Sequence, residues 1–294
     1  MKKILITGSE GFIGKALIHH LINVRNSYEL FTLDRTGSGR NHVLADITVD
    51  DLTSRIREID PDVIVHLAGN VSVPFSLKYP LEDFNVNAKG TLAVLLAAEP
   101  TSCKNFVYIT SGGAIYDSLA PMPLKEESPI KPISPYGLSK YVAEGYIRVL
   151  CEARKTGWSS LALSNSYGPI TDQKQGVIYR FWQDIVNGNN PTIYGDSVAR
   201  DFIYIDDVVK ALVSVIENPV NMRVNISSNT STKLKDLLAE IQHIMGSNLE
   251  PKIESLRDGE VEVSQLDNRR ALQFLKWAPA VDLRSGLRKC LGVS

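Results

Sequence analysis

Tyr136 and Lys140 stand four residues apart in Tyr136-Gly137-Leu138-Ser139-Lys140, at the start of a stretch with apolar residues at helical spacing. On a helix that separation puts both side chains on one face, within reach of one ligand. A tyrosine phenol, with an ordinary pKa of about 10, is a poor base at neutral pH, and a nearby cation favours its ionised form. Lys140 can supply that cation. Ser111, at the end of the apolar run Phe106-Val107-Tyr108-Ile109-Thr110-Ser111, can hydrogen-bond the same substrate oxygen. The three groups suit proton transfer to and from a substrate hydroxyl. A tyrosine and a lysine at this spacing also begin many ordinary surface helices, so the pair gains meaning only from its company.

That company is the start of the chain. Lys3-Ile4-Leu5-Ile6-Thr7 runs into Gly8, Gly11 and Gly14, and an apolar helical period follows through Phe12, Ile13, Ala16, Leu17 and Leu21. The pattern predicts strand, tight turn and helix. Gly8 can take backbone angles that a side chain forbids, Gly11 lets the main chain approach a diphosphate, and Gly14 lets the helix pack on the strand. The helix N-terminus offers free N–H groups and a positive dipole end to phosphate. About twenty residues beyond the loop, Leu30-Phe31-Thr32-Leu33 ends in Asp34, where a carboxylate would accept hydrogen bonds from an adenosine ribose. Asp34 favours NAD. Arg35 and Arg40 leave NADP open, because a guanidinium suits a 2′-phosphate.

Strands must alternate with helices to present such residues together. Val63-Ile64-Val65-His66-Leu67-Ala68-Gly69 reads as a strand buried on both faces, with His66 a packed core residue. Helices are expected from Val49 to Ile59, Asp83 to Ala98 and Tyr136 to Arg154. The alternation predicts an α/β chain: a Rossmann-like doubly wound parallel sheet plus a smaller α/β lobe. Ligands bind such sheets at the carboxyl ends of the strands, where Gly8, Asp34, Gly69 and Ser111 fall. Residues 114–135 carry five prolines and predict a long loop over that edge. Further strands are expected at Ser160 to Asn165, Thr192 to Tyr194 and Val224 to Ile226. Helices are expected at Gly176 to Val186, Asp206 to Glu217, capped by one of the paired aspartates, and Lys233 to Met245. The expected division is residues 1–165 plus 204–222 for cofactor, and 166–203 plus 223–294 for substrate.

Composition excludes other classes. The 294 residues are 44% hydrophobic and 22% charged, with a formal net charge of -1, which gives no electrostatic case for nucleic acid or an anionic membrane. No apolar run reaches the roughly twenty residues of a membrane span, the first residues already form a core strand, and the cytoplasm is the expected compartment. Cys103, Cys151 and Cys290 are odd in number and outside any CxxC spacing, which argues against a disulfide framework and a zinc site. No metal is expected.

The order of these features resembles the extended short-chain dehydrogenase/reductase superfamily, in particular the NAD-dependent nucleotide-sugar epimerases and dehydratases of the UDP-glucose 4-epimerase type. Thr7-Gly8-Ser9-Glu10-Gly11-Phe12-Ile13-Gly14 is similar to that family's TGxxGxxG loop, Asp46-Ile47 to its adenine-contacting pair, and His66-Leu67-Ala68 to its HLA strand. Asn87-Ala88-Lys89-Gly90-Thr91 resembles its Asn-x-x-Gly-Thr helix, and Tyr136 to Lys140 its YxxxK pair. The resemblance implies cofactor contacts from Gly8, Gly11, Phe12, Ile13, Gly14, Asp34, Asp46, Ile47, Leu67, Ala68 and Lys140. It implies Ser111, Tyr136 and Lys140 as the catalytic group. Segments like those lining a nucleotide-sugar pocket would place Asn165 and Val177 against substrate, with Arg200 at its phosphate, and Arg257 fits the family's C-terminal Arg-x-Gly-Asp as a further substrate residue; a surface pair with Asp201 or Asp196 is the alternative for Arg200. A homodimer built on the helices from Asp83 and from Tyr136 is a further implication.

Departures sharpen the expectation. Gly112 stands where the family usually has its catalytic Ser or Thr, so Ser111 must take that role. Gly112, Gly113 and Ala114 replace the Thr-Asp-Glu of the dehydratases, which argues against 4,6-dehydration. Glu260 replaces a ribose-binding aspartate, and Ala162 an arginine of many members. The leading expectation is a nucleoside-diphosphate-hexose 4-epimerase passing through a 4-keto sugar, of use in polysaccharide synthesis. An NAD(P)H-dependent reductase of a 4-keto-6-deoxy sugar is the alternative, and a non-catalytic NAD(H)-binding regulator a third reading.

Overall fold

The computed structural model describes residues 1–23, 28–172 and 175–293. Its first half runs β1 (Lys2–Thr7), α1 (Phe12–Asn23), β2 (Tyr28–Asp34), β3 (His42–Leu44), α2 (Leu52–Ile59), β4 (Val63–His66), α3 (Val73–Lys78), α4 (Pro80–Phe84), a π-helical segment (Asn85–Gly90), α5 (Thr91–Ala97), β5 (Asn105–Ser111) and α6 (Gly112–Ile115). There follow α7 (Pro135–Arg154), β6 (Gly157–Leu163), β7 (Asn165–Tyr167), α8 (Gly176–Val186), β8 (Thr192–Tyr194), β9 (Ala199–Tyr204), α9 (Ile205–Glu217) and β10 (Met222–Ile226). The chain ends with β11 (Ser231–Lys233), α10 (Leu234–Met245), β12 (Lys252–Glu254), α11 (Arg269–Leu275) and α12 (Leu283–Leu291).

Seven strands form one parallel sheet in the order β10-β6-β5-β4-β1-β2-β3, the order expected where the chain doubles back from β1. Successive side chains of a strand point to opposite faces, and the apolar runs divide accordingly. Ile4, Ile6, Val63, Val65, Val107 and Leu161 enter one core beneath α1 and α9, whereas Leu5, Ile64, Phe106, Tyr108 and Trp158 enter the other beneath α2, α5 and α7. Both faces are therefore covered. Two small sheets, β11-β9-β7 and β12-β8, build the outer part of the substrate side. The boundary expected at residue 222 falls inside β10, which pairs in parallel with β6 at the edge of the central sheet.

Two local expectations change. The helix expected from Asp83 to Ala98 is interrupted by the π-helical segment at Asn85–Gly90, a widening that recurs at functional sites. Neither aspartate caps α9, whose N-cap is Tyr204. Asp207 is instead wholly buried, and its Oδ2 accepts hydrogen bonds from the Ala280 and Val281 amides at 2.9 Å, tying the C-terminal segment to α9.

A buried ion pair holds β10 to α7. Arg223 donates to Glu144 through Nε at 2.8 Å and Nη2 at 2.5 Å, and the Ser160 hydroxyl donates to the other carboxylate oxygen at 2.7 Å. Removing one partner leaves a buried charge uncompensated. Arg223→Ala is therefore expected to cost about 3–5 kcal/mol in urea unfolding, and replacing both partners with apolar residues to recover most of it.

Candidate active site

At the carboxyl edge of the sheet the chain crowds together. Gly8 has φ 71°, and a Cβ there would lie 2.5 Å from the Ala68 nitrogen and 2.6 Å from the Leu67 carbonyl carbon. A Cβ at Gly14 would strike the Gly8 carbonyl and the Ser9 backbone. Loop, helix α1 and the end of β4 can approach this closely only through glycine. The Gly8 amide donates to Leu33 O at 2.9 Å and the Leu67 amide to Thr7 O at 3.0 Å, so Gly8, Leu67 and Ala68 share one corner with the end of β2. Ser9 is 1% exposed and its hydroxyl has no partner among the described residues.

Asp34 closes the other side of the loop. Its Oδ2 accepts from the Glu10 amide at 3.0 Å and Oδ1 from Arg35 N at 2.7 Å. Asp46 accepts from the Thr48 amide at 2.8 Å and hydroxyl at 2.7 Å, and that hydroxyl bond leads in holding its carboxyl below the usual range. Ile47 is buried against Gly90. Phe12 and Ile13 pack on the core beneath α1, with Phe12 against Gly168.

His66 is a core residue. Its Nδ1 lies 2.7 Å from the Thr7 hydroxyl and its Nε2 2.9 Å from that of Thr91, which itself donates to Asn87 O at 2.7 Å. Thr91 must then accept from Nε2–H, leaving Nδ1 to accept from Thr7. Burial pushes the imidazole down to about 3, so it stays neutral.

Tyr136 and Lys140 lie in the first turns of α7, which Ser134 caps by accepting from the Gly137 amide at 3.2 Å. Both are buried. The phenol is pushed up to about 12, chiefly by burial, with a hydrogen bond from Ser111 opposing. Burial also brings the Lys140 ammonium down to about 7, against the pull of Asp83 and Glu144. Its Nζ stands 4.4 Å from the centroid of the Tyr108 ring. The lowering of the phenol expected from Lys140 does not emerge in the polypeptide itself: burial and the Asp83 charge raise it, and the Ser111 hydrogen bond opposes them. Gly112 packs closely under Leu266: a Cβ there would meet the leucine methyls, so a Ser at 112 would require Leu266 to shift, and Ser111 is the hydroxyl beside Tyr136.

Asp83 and Asn87 face the same corner. Asp83 is wholly buried, and its Oδ1 accepts from Asn87 Nδ2 at 2.9 Å and Asn70 Nδ2 at 3.4 Å. Burial raises its carboxyl, with the Ser139 hydroxyl, Asn87 and Lys140 opposing. Asn87 also accepts from the Asn70 amide at 2.9 Å and donates to Asn70 O at 3.1 Å.

On the substrate side, Arg200 pairs with neither Asp201 nor Asp196. Its Nη1 donates to the Ala199 and Glu262 carbonyls at 3.0 Å, and Nη2 lies 3.6 Å from Glu260. Arg257 Nη1 lies 3.5 Å from the same carboxylate, and its guanidinium stacks 3.6 Å from the Tyr194 ring centroid. Arg180 approaches that ring at 5.8 Å. Asp201 is buried, accepting from the Ser228 amide and hydroxyl, and Asp196 pairs with Lys235. Val177 lies half-buried at the start of α8 and Asn165 is exposed at the start of β7.

Comparison with known proteins decides the family. Residues 4–229 match the model of the NAD dependent epimerase/dehydratase family. The chain belongs to this family. It is 33% identical to the UDP-glucose 4-epimerase of Mycolicibacterium smegmatis, over 97% of this chain and 96% of that one. The UDP-glucose 4-epimerase of Thermotoga maritima, solved with UDP-glucose, superposes with a TM-score of 0.92 at 32% identity, covering 98% of this chain and 97% of the other. That of Thermus thermophilus, solved with NAD, gives 0.89 at 27% identity over 98% and 97%.

The family's dinucleotide suits the loop seen here. A turn closed to any Cβ at 8 and 14, with the unpaired Ser9 hydroxyl inside it, fits a diphosphate, and Asp34 beside Glu10 fits the adenosine ribose. Sequence reading passed over Arg180, Tyr194 and Asp83. The signal for Asp83 was present: Asp83 and Asn87 sit four apart on a helical stretch that otherwise buries apolar side chains. Among the described residues no cluster could hold a metal ion, and no helix is long and apolar enough to cross a membrane.

Proposed function

We propose that the chain is a NAD-dependent 4-epimerase of a nucleoside-diphosphate hexose. The observation that carries the reading is the grouping of Ser111, Tyr136 and Lys140 at the edge of the sheet where the glycine loop and the ends of β1 and β4 meet. NAD held there supplies a reversible hydride acceptor for C4 and a positive charge that favours the Tyr136 phenolate. Tyr136 takes the proton of the C4 hydroxyl as that carbon is oxidised to the ketone. Burial favours the neutral phenol so formed, which holds the proton for return to O4 once the sugar has turned its other face. Ser111 donates a hydrogen bond to the same oxygen, and Lys140 orients the cofactor's ribose.

Arg180, Arg200 and Arg257 around the single carboxylate of Glu260 leave an excess of positive charge, suited to the substrate's diphosphate. Arg257→Ala is expected to raise KM for the nucleotide sugar by about ten- to a hundredfold, the worth of a charge-assisted hydrogen bond, with kcat nearly unchanged. Asn165 and Val177 would line the same pocket. Residues 166–203 and 227–294 would then serve substrate, and the central sheet cofactor.

A homodimer fits the apolar face on α4 and α7, where Leu81, Phe84, Leu138, Tyr146 and Val149 are each at least 46% exposed. Light scattering should return about twice the 32.5 kDa of one chain. The setting we infer is the cytoplasm, with the product serving polysaccharide synthesis. The direct test needs no added cofactor: protein purified without added NAD, keeping whatever NAD it binds, is incubated with UDP- or dTDP-hexoses. Interconversion of 4-epimers supports the reading. Turnover that appears only on addition of NAD(P)H and a 4-keto sugar would replace it with a reductase.

A further inference from the structure

We propose that Asp83 is a positioning residue, whose buried carboxylate keeps the Lys140 ammonium charged and in place beside Tyr136. This rests on the reading of Tyr136 and Lys140 given above. Asp83 lies on α4, outside every motif that carries the family resemblance, and has no exposed surface. Its Oδ1 is held by the side-chain amides of Asn70 and Asn87 and the Ser139 hydroxyl also faces the carboxyl, while its Oδ2 has no donor in hydrogen-bonding geometry among the described residues. A carboxylate buried in this way is costly unless a cation answers it.

The cation within its field is Lys140. Asn87 stands between the two: a Cβ at Gly69 would lie 2.8 Å from Asn87 Oδ1 and 3.8 Å from Lys140 Nζ, so amide and ammonium border the same gap. The π-helical segment carries Asn87 into that gap while its side chain still reaches back to Asp83.

The other groups facing Lys140 cannot replace Asp83. Glu144, one turn along α7, is already bound by Arg223 and Ser160. From β5 comes the neutral ring of Tyr108, from β4 the neutral His66, and Tyr136 is protonated at neutral pH. Burial alone would discharge the lysine, and Asp83 is the leading influence that opposes it. An asparagine at 83 would keep the size and an acceptor oxygen but lose the charge.

The sign follows. A lysine in a variant without the Asp83 charge gives up its proton at lower pH, and any rate that needs the ammonium is lost as pH rises through that point. Lys140 is followed by NMR of protein labelled with 13C at lysine Cε, its resonance assigned by loss in Lys140→Met, alongside kcat against pH. In Asp83→Asn the Lys140 midpoint should fall by about one pH unit or more, and the alkaline limb of kcat should fall with it. A lower kcat at every pH with the midpoint unmoved would reduce Asp83 to a structural part and overturn the proposal. The NMR midpoint is independent of turnover, so a protein inactive on every nucleotide sugar would refute the epimerase reading and still decide this one. Should Asp83→Asn fail to fold, wild-type protein labelled at aspartate Cγ serves instead: the Asp83 resonance should shift as Lys140 titrates, and a resonance indifferent to it would overturn the proposal.

Discussion

Tyr136→Phe is expected to lower turnover about a thousandfold or more while leaving NAD bound. In the proposed mechanism the phenol carries the C4 proton in both directions, and a positioned acid–base group typically contributes about 10²- to 10⁴-fold. The upper part of that range applies because the site is buried and water is a poor substitute. The ring is 8% exposed and fills the same space as phenylalanine, so the fold should lose no more than about 1 kcal/mol, the worth of the Ser111 hydrogen bond. Turnover is followed by coupled assay, and bound NAD by release on denaturation. Loss of turnover with NAD retained also rejects the regulator reading, in which Tyr136 has no chemical task. Turnover within tenfold of wild type would remove Tyr136 from the mechanism.

Gly8→Ala should do the largest damage to cofactor binding and fold together. Its φ of 71° costs an alanine about 1–2 kcal/mol by itself. The added methyl would also sit 2.5 Å from the Ala68 nitrogen and 2.6 Å from the Leu67 carbonyl carbon, backbone atoms that cannot rotate away. The Gly8 to Leu33 and Leu67 to Thr7 bonds that align β1, β2 and β4 would have to lengthen. A destabilisation of at least about 3 kcal/mol is expected, read as a fall in Tm of roughly 6–12 °C for a chain of this size, with little NAD retained. Normal Tm and full NAD content would show that the loop is less tightly built than its contacts require.

Gly8, Gly11, Gly14 and Asp34 were legible in the sequence because backbone geometry and charge allow few alternatives at a strand-to-helix turn. The strands of the central sheet were legible for a related reason: Val63 to Val65 and Phe106 to Tyr108 bury both faces, and only a parallel sheet covered by helices accepts that. Asp83 was hidden because the run from Asp83 to Ala98 has an apolar period that a single α-helix satisfies, whereas the π-helical segment is set by long-range bonds from Asn70 to Asn87. Asp207 was misread because its partners, the Ala280 and Val281 amides, lie over seventy residues away. Arg180 and Tyr194 meet Arg257 only through the packing of α8, β8 and the segment after β12, and strands of three residues carry almost no period.

The tyrosine shows a physical point that spacing alone hides. A lysine four residues away on a helix suggested an ionised phenol, yet burial acts on both groups at once, raising one to about 12 and lowering the other to about 7. The phenol rests protonated in an enclosed site, and further positive charge must be brought in for the base to form.

The most direct test of the central claim is to follow a deuterium at C4 of the nucleotide hexose through one round of conversion, without added cofactor. Epimerisation through a 4-keto sugar returns the same hydride to the opposite face, so the 4-epimer should carry the deuterium at C4 in full, with none in solvent or in free NAD(P)H. Deuterium lost to water, or found in added cofactor, would contradict the account.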